Sequence, residues 1–135
     1  PAIMKMGLEA GNLVLEVGLS DDCDKELRSA IESHIGSSLI DSDTDEVVDA
    51  VMLWWREGDG DLTDALVDVL TYLSETGPIW LMTPKVGRMG YVEASDIQDA
   101  APPAGLSQTT AFNATPDWTA TKLVARKAGI VNKGR

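Results

Sequence analysis

The chain has 135 residues, of which 44% are hydrophobic, and a formal net charge of −11 at pH 7. This size and composition predict one domain with a single core, which we place at residues 1–126, followed by a basic flexible tail over residues 127–135. No apolar run reaches the roughly 18 residues of a membrane span, and the first residues lack the apolar segment of a signal peptide, so we expect no membrane partner.

The charge is concentrated in the first part of the chain. Residues 1–76 carry 4 Lys or Arg against 18 Asp or Glu, whereas residues 77–135 carry 7 against 4. So acidic a surface repels phosphate backbones, and we therefore do not expect nucleic acid as a partner. The single cysteine, Cys23, can form no internal disulfide, which favours a reducing cytoplasm.

The first predicted elements are a strand and a helix. The apolar run Leu13–Val17 is bounded by glycines and predicts a strand. Residues 20–24 have a helix-start composition, residues 27, 31 and 35 mark one helix face, and Gly36 can end the helix. Residues 37–49 have room for a short strand around Leu39-Ile40 and an acidic turn. Val47 and Val48 fit either the start of the next strand or a helical turn before it.

The stretch from Ala50 to Lys85 predicts a β-α-β unit. Residues 51–55 and 79–82 are apolar at nearly every position, as in parallel strands that are buried on both faces. Between them, residues 62, 66, 69, 70 and 73 recur at helical spacing. We expect Asp61 to cap this helix and Gly77-Pro78 to stop it.

The last third of the chain predicts a loop, a short helix and a hairpin. Residues 83–90 are rich in glycine and proline, and Glu93–Ala101 can form a helix capped by Ser95 or slightly earlier. Residues 108–114 and 118–126 have the composition of an antiparallel hairpin. The predicted fold class is therefore α/β, a three-layer α/β/α domain whose open, mostly parallel sheet ends in a C-terminal antiparallel hairpin.

This order of elements resembles the C-terminal half of class I, S-adenosylmethionine-dependent methyltransferases. The segment Leu15-Glu16-Val17-Gly18 is similar to the start of their cofactor motif, acidic residue-x-Gly-x-Gly. More closely, the chain resembles a family of small, methyltransferase-like actinobacterial proteins of unknown function. The stretches that carry this closer resemblance are Val48–Arg56, Leu81–Lys85, Ala104–Thr109 and Pro116–Trp118.

The resemblance implies a cofactor site at the turn that contains Gly18, Ser20 and Asp21. In the methyltransferases, glycines in this turn let the backbone approach the cofactor. Here Ser20 and Asp22 hold the second and third glycine positions, and only Asp41 or Asp43 could serve as a ribose-binding acid. We therefore expect no cofactor, S-adenosylmethionine included, and a fold that has been retained without its ligand.

A second candidate site is the loop that carries Lys85 and Arg88. Ligands of open α/β sheets bind beyond the carboxyl ends of the strands, and two cations among glycines could hold a carboxylate or a phosphate. The alternative, which we favour, is that both cations form ion pairs with acidic loops at the same edge. Those acids are Asp21, Asp22, Asp24, Glu57, Asp59 and Asp61.

No other motif predicts a catalytic residue or a metal site. Cys23 has acidic neighbours that favour the protonated thiol, and His34 is the only histidine. Asp59-Gly60-Asp61 is explained by a turn and a helix cap. We expect Trp54 and Trp55 to point to opposite faces of the sheet and to fill the gaps between sheet and helices. If Trp118 or one of this pair were exposed, it would be an anchor for a protein partner.

The function predicted from these residues is that of a cytoplasmic, non-catalytic binding or regulatory protein. Its partner would be another protein or a small anionic ligand. The alternative is a small enzyme or sensor that binds an anionic metabolite or nucleotide at Lys85 and Arg88. A third hypothesis, a subunit of a larger assembly, predicts exposed apolar surface near the hairpin or the tryptophans.

Overall fold

The computed structural model of the chain describes residues 2–126. The helices are α1 (Ala2–Lys5), α2 (Lys25–Ile35), α3 (Leu62–Leu70) and α4 (Ala94–Ala100), followed by a 3-10 turn at Pro102–Ala104. The strands are β1 (Val14–Val17), β2 (Ala50–Trp54), β3 (Ile79–Pro84), β4 (Leu106–Asn113) and β5 (Trp118–Ala125). The predicted tail over residues 127–135 lies outside the described residues.

The five strands form one sheet in the order β1-β2-β3-β5-β4. The pairs β1-β2 and β2-β3 are parallel, while β5 runs antiparallel to both β3 and β4. This confirms the predicted mostly parallel sheet with a C-terminal antiparallel hairpin. Because β1, β2 and β3 are parallel, the loops that follow them meet at one edge of the sheet, which we call the carboxyl edge.

Two apolar clusters cover the two faces of the sheet. On one face, α1 and α2 pack over alternate residues of the strands, among them Met52, Trp54 and Trp80. On the other face, α3 and α4 pack over the intervening residues, among them Val51 and Leu53. The strands β2 and β3 are buried at every position, as parallel strands between two helical layers should be.

Helix α3 ends earlier than the apolar spacing predicts. It ends at Leu70, and the Thr71 hydroxyl donates a hydrogen bond to the Asp68 carbonyl oxygen at 2.8 Å. The chain then turns, and Leu73 pairs in parallel with Val48 instead of continuing the helical stripe. The expectation that Gly77-Pro78 stops the helix is therefore wrong. Val48 itself is fully buried and forms this isolated bridge.

Three smaller features also differ from the sequence-based expectations. Ile40 forms one isolated parallel bridge with Leu15 and no longer strand. Helix α4 starts after Glu93 with no side-chain cap, so Ser95 is not the cap. The short helix α1, which packs against the α2 layer, was not predicted. Within residues 2–126, no helix combines the length and the apolar character that crossing a membrane would require.

Candidate functional site

The turn after β1 is pressed against the end of β2. Gly18 has a φ of +88°, and a Cβ atom built on it would lie 2.3 Å from the Trp54 carbonyl oxygen. Any side chain at this position would therefore meet backbone and would also occupy a left-handed conformation that favours glycine. The packing of β1 against β2 is by itself a sufficient reason for this glycine.

Arg56, directly beyond β2, binds this turn with its whole guanidinium group. Its Nε donates to Asp22 Oδ2 at 2.9 Å and its Nη1 donates to the Gly18 carbonyl oxygen at 2.9 Å. Its Nη2 lies 3.3 Å from Cys23 Sγ, and the guanidinium carbon lies 5.4 Å from the centre of the Trp118 ring. We call these five residues the Arg56 cluster.

The charges within the Arg56 cluster stabilise one another. Hydrogen bonding to Arg56 lowers the pKa of the Asp22 carboxyl below its ordinary value, and the same hydrogen bond raises the pKa of Arg56. Burial raises the pKa of the Cys23 thiol. The thiol also receives a hydrogen bond from the Ser20 backbone N–H at 3.3 Å. Arg56 therefore stays charged and paired, while Cys23 stays protonated at neutral pH.

A second set of contacts anchors the Arg56 cluster to the sheet. The rings of Trp54 and Trp118 pack edge to face with their centres 4.7 Å apart, and Trp118 Nε1 donates to the Asp22 carbonyl oxygen at 3.1 Å. Trp54 Nε1 donates to Glu16 Oε2 at 2.8 Å, and Arg28 binds both oxygens of the same carboxylate. The hydrogen bond to Glu16 raises the pKa of Arg28. The α2 side of the carboxyl edge is thus filled by the chain's own side chains.

The α3 side of the same edge is open. There a cavity of about 490 Å³, which we call the crevice cavity, lies between the ends of β1 and β2 and helix α3. Trp55 is half-buried in its wall, so Trp54 and Trp55 do lie on opposite faces of the sheet. The lining residues with apolar side chains are Val17, Leu19, Leu53, Trp54, Trp55, Ala65 and Val69. The polar ones are Ser20, Arg56, Asp59 and Asp68.

Some of the site residues predicted at the first turn lie in this cavity and others do not. Gly18 and Ser20 line the crevice cavity. Asp21 is exposed in the same turn and is not among the lining residues. Asp41 and Asp43 are exposed as well, and neither lines the crevice cavity. The two acids that do line it, Asp59 and Asp68, were not predicted to do so.

The second predicted site, Lys85 and Arg88, lies beyond β3 at the same edge. Arg88 forms an ion pair with Asp117 at 3.6 Å, and its Nη1 lies 3.3 Å from the Asp117 carbonyl oxygen. Within residues 2–126, Lys85 takes part in no ion pair. The ion pairs that we expected for these two cations with the acidic loops belong instead to Arg56, which pairs with Asp22 and Asp59.

Sequence reasoning missed Arg56 and left the exposure of Trp118 open. Arg56 was noted only as part of a resembling stretch, although it is the sole cation between residues 29 and 84 and follows a buried strand directly. Trp118 is 1% exposed and Trp80 is equally buried, so neither is an anchor for a protein partner. Of the four tryptophans, Trp55 is the one with a partly exposed ring.

Comparison with known sequences identifies related proteins of unknown function. The family described as "Protein of unknown function (DUF3052)" matches residues 3–127. Uncharacterized proteins of Mycobacterium tuberculosis strain H37Rv and of Mycobacterium bovis are each 47% identical over 124 residues, which cover 92% of this chain and 78% of theirs. The resemblance to an actinobacterial family of unknown function is therefore confirmed.

Comparison with solved structures identifies methyltransferases. A SAM-dependent methyltransferase from Aquifex aeolicus superimposes with a TM-score of 0.60 at 10% identity, covering 91% of this chain and 87% of that one. A ribosomal protein L11 methylase from Lactobacillus delbrueckii subsp. bulgaricus gives 0.57 at 14% identity, with 93% and 76% covered. At such identities the similarity shows the fold alone. The methyltransferase-like fold is confirmed.

Proposed function

Because the chain belongs to the DUF3052 family, whose description assigns no function, we propose one from its geometry. We propose that it is a non-catalytic binding module in which a methyltransferase-like fold holds a small ligand other than S-adenosylmethionine in the crevice cavity. The cytoplasmic location inferred from the single cysteine stays a prediction.

The observation that supports this proposal is the Arg56 cluster. The turn at which glycines of a cofactor motif would meet an adenosyl compound is bonded here to the protein's own guanidinium group. A cofactor that approached the Gly18 carbonyl oxygen from the Arg56 side would have to separate Arg56 from Asp22. The contact is charge-assisted and two-point, and Arg56 Nη1 also binds the Gly18 carbonyl oxygen, so a cofactor would have to displace all of these hydrogen bonds.

The chemistry of the lining also favours a ligand other than an adenosyl cofactor. Where the cofactor motif requires bare backbone, the chain carries the side chains of Ser20 and Asp22. The acids Asp41 and Asp43, which the resemblance offers for a ribose, do not line the crevice cavity. These residues do not fit S-adenosylmethionine, and we derive no methyl transfer from this site.

The crevice cavity nevertheless supports a binding role. Its volume of about 490 Å³ lies within the range of about 300 to 1,000 Å³ that is typical of small-molecule sites. Leu53, Trp55 and Val69 supply apolar walls, while Ser20 and Asp68 supply polar groups at the rim. Mostly apolar walls with a few polar groups are the usual composition of a ligand site.

The experiment that tests this proposal is a thermal-shift screen of two matched variants. The compounds are S-adenosylmethionine, nucleotides, acyl-CoA and phosphorylated metabolites. Ala65→Phe places a ring in the crevice cavity, whereas Val67→Phe changes an exposed residue of the same helix that does not line it. A compound at a hundredfold above its dissociation constant should stabilise the protein by about 2.7 kcal/mol.

The expected result is a compound that stabilises the wild type and Val67→Phe but not Ala65→Phe, with S-adenosylmethionine inactive on all three. Saturable stabilisation by S-adenosylmethionine that disappears in Ala65→Phe would overturn the proposal. So would a methyltransferase activity of the purified chain.

A second candidate function is binding of an anionic metabolite or nucleotide at Lys85 and Arg88. The observation in its favour is that Lys85 forms no ion pair within the described part of the chain, while Arg88 is only partly engaged by exposed Asp117. A Lys85→Ala, Arg88→Ala variant in the same screen separates the two candidates. Loss of a response in this variant and its retention in Ala65→Phe would assign the ligand to the loop.

A further inference from the structure

A second cavity lies on the antiparallel half of the sheet, away from the crevice cavity. It has a volume of about 180 Å³ and lies between helix α4, the loop that leads into it, and the strands β3, β5 and β4. We call it the threonine cavity. Its lining residues are Thr83, Pro84, Tyr91, Val92, Ala94, Ile97, Gln108, Ala111, Thr119 and Thr121.

The threonines of this cavity are neighbours on one face of the sheet. In the antiparallel pairing of β3 with β5, Thr83 lies opposite Thr119, and Thr121 lies opposite Leu81. Partners directly opposite each other point to the same face, and residues two apart along a strand do so as well. The three hydroxyl-bearing side chains therefore form a contiguous polar patch beneath α4.

Two of these residues are largely buried, but their hydroxyls stay accessible from the cavity. Thr83 and Thr121 are each 3% exposed, and no hydrogen bond of either hydroxyl is found in residues 2–126. Neither hydroxyl is fully enclosed, because the one fully enclosed side-chain polar atom without a partner in that part of the chain is Trp80 Nε1. A buried hydroxyl that leaves water without finding a partner destabilises the fold, so buried polar groups are almost always satisfied by protein, water or ligand. Both hydroxyls line the threonine cavity and can be satisfied from there.

The lining residues of the threonine cavity determine which class of ligand can form hydrogen bonds with these two hydroxyls. None of the lining residues carries a charge, and the polar groups are hydroxyls and one amide, each able to donate and to accept. An ion brought into such a site would lose its hydration without gaining a counter-charge, which excludes charged ligands. Val92 and Ile97 supply buried apolar walls beside the polar patch.

We propose that the threonine cavity is a binding site for a small neutral molecule or group of the amide class, one that carries both N–H donors and carbonyl acceptors. At about 30 Å³ for each water-sized group, the cavity holds about six such groups, which is the size of a carboxamide or a single pyrimidine ring. The donors and acceptors would meet Thr83 and Thr121, and the apolar edge would meet Val92 and Ile97. This site is independent of the ligand proposed for the crevice cavity.

The test is an NMR titration of the full chain with uracil, which has two N–H donors and two carbonyl acceptors. We expect saturable shifts of the backbone amides of Thr83, Thr119 and Thr121, with a dissociation constant on the order of 1 mM for so small a ligand. Two related probes serve as controls. Orotate adds a carboxylate and 1,3-dimethyluracil lacks both donors, so each should bind at least tenfold more weakly.

Two variants complete the test. The double variant Thr83→Val, Thr121→Val removes the two hydroxyls at nearly constant shape and should weaken uracil binding at least tenfold. Because the hydroxyls have no protein partner, its melting temperature should equal or exceed that of the wild type. Thr109→Val, an exposed threonine outside the cavity, should change neither property.

Three results would overturn the proposal. Shifts that do not saturate, or that the double variant leaves unchanged, would mean that the cavity holds water only. Equal binding of orotate and uracil would contradict the neutral ligand class. A large fall in the melting temperature of the double variant would mean that the hydroxyls have structural partners instead of a ligand.

Discussion

The carboxyl edge of the sheet has two sides, one under α2 and the other under α3. Both sides begin at the same strand ends, but they differ in what fills them. On the α2 side, Arg56, Trp118 and Asp22 occupy the space with mutual hydrogen bonds. On the α3 side, the crevice cavity remains open above Leu53 and beside Trp55. At the ends of β1 and β2, the same β-α-β scaffold thus carries a closed half and an open half, and the crevice cavity lies in the open half.

The cause of this difference is the direction of successive side chains at the end of β2. Trp54 points to the α2 face, where its indole N–H meets Glu16, whereas Leu53 and Trp55 point to the α3 face and meet apolar groups. Arg56 then folds back over the first turn toward Asp22. The position of one cation beyond one strand therefore decides which half of the edge is closed.

The largest expected effect is that of Gly18→Ala, which would separate β1 from β2 where the two halves meet. Its Cβ would lie 2.3 Å from the Trp54 carbonyl oxygen. We expect a loss of unfolding free energy of at least about 3 kcal/mol, combining left-handed strain with overpacking. Gly11→Ala is the matched control, because Gly11 has a φ of +91° and nothing within 4 Å of its added Cβ.

Urea denaturation of both variants separates the two contributions. Gly11→Ala should lose only about 1 to 2 kcal/mol, the cost of the left-handed backbone. Equal losses in the two variants would mean that the contact with Trp54 contributes nothing, and the account of this turn as internally packed would fail.

Much of this fold follows from local sequence patterns, whereas the closed half does not. Residues 51–54 and 79–82 are apolar at every position, and such runs have few alternatives to buried parallel strands. The Arg56–Asp22 pair joins residues 34 apart and the Trp118–Asp22 contact joins residues 96 apart. Hydrophobic periodicity does not indicate which loops meet at an edge of the sheet, so these contacts could not be predicted from the sequence.

The contacts of Glu16 are less predictable than the buried strands but more predictable than the contacts of Arg56 and Trp118. An acidic residue within an apolar strand indicates a buried partner, and Arg28, one of two cations in the next helix, is that partner. Strand β1 was predicted correctly. The pairing of Glu16 with Arg28 was also predictable, because a carboxylate within an apolar strand requires a partner. The end of α3 could not be found in this way, because it depends on the pairing of Leu73 with Val48.

A smaller effect is expected for Glu16→Gln, which keeps the shape of the closed half but removes its buried charge. Glutamine can still accept from Trp54 Nε1 but cannot bind both donors of Arg28. We expect a loss of about 2 kcal/mol, within the range for hydrogen bonds to charged groups. Glu26→Gln, an exposed change in the neighbouring helix, should cost less than about 0.5 kcal/mol.

A double-mutant cycle with Arg28→Met identifies the source of the loss. Once Arg28 is methionine, the buried Glu16 carboxylate has no counter-charge, so neutralising it by Glu16→Gln should cost little. If the two losses simply add, Glu16 acts through packing and not through its charge pair with Arg28.

The smallest expected effect on the free energy of unfolding concerns the Asp22 carboxylate. Its removal weakens the contact that holds Arg56 over the turn. Its pKa lies below the ordinary value of 3.8 because Arg56 donates hydrogen bonds to the carboxylate. A lowered folded-state pKa stabilises the protein above the unfolded-state pKa, and this stabilisation is lost as the pH falls through the folded-state value. The carboxylate is 40% exposed, so solvent screening keeps the contribution small.

The measurement compares the wild type with Asp22→Asn by urea denaturation between pH 7 and pH 2.5. The wild type should be the more stable protein near neutral pH, and its advantage should shrink as the pH falls below the ordinary carboxyl pKa. Asp21→Asn, an exposed change in the same turn, should show no such dependence on pH. An advantage of the wild type that persists unchanged to pH 2.5 would show that it does not come from the charge of Asp22, and that Arg56 could leave the closed half at little cost.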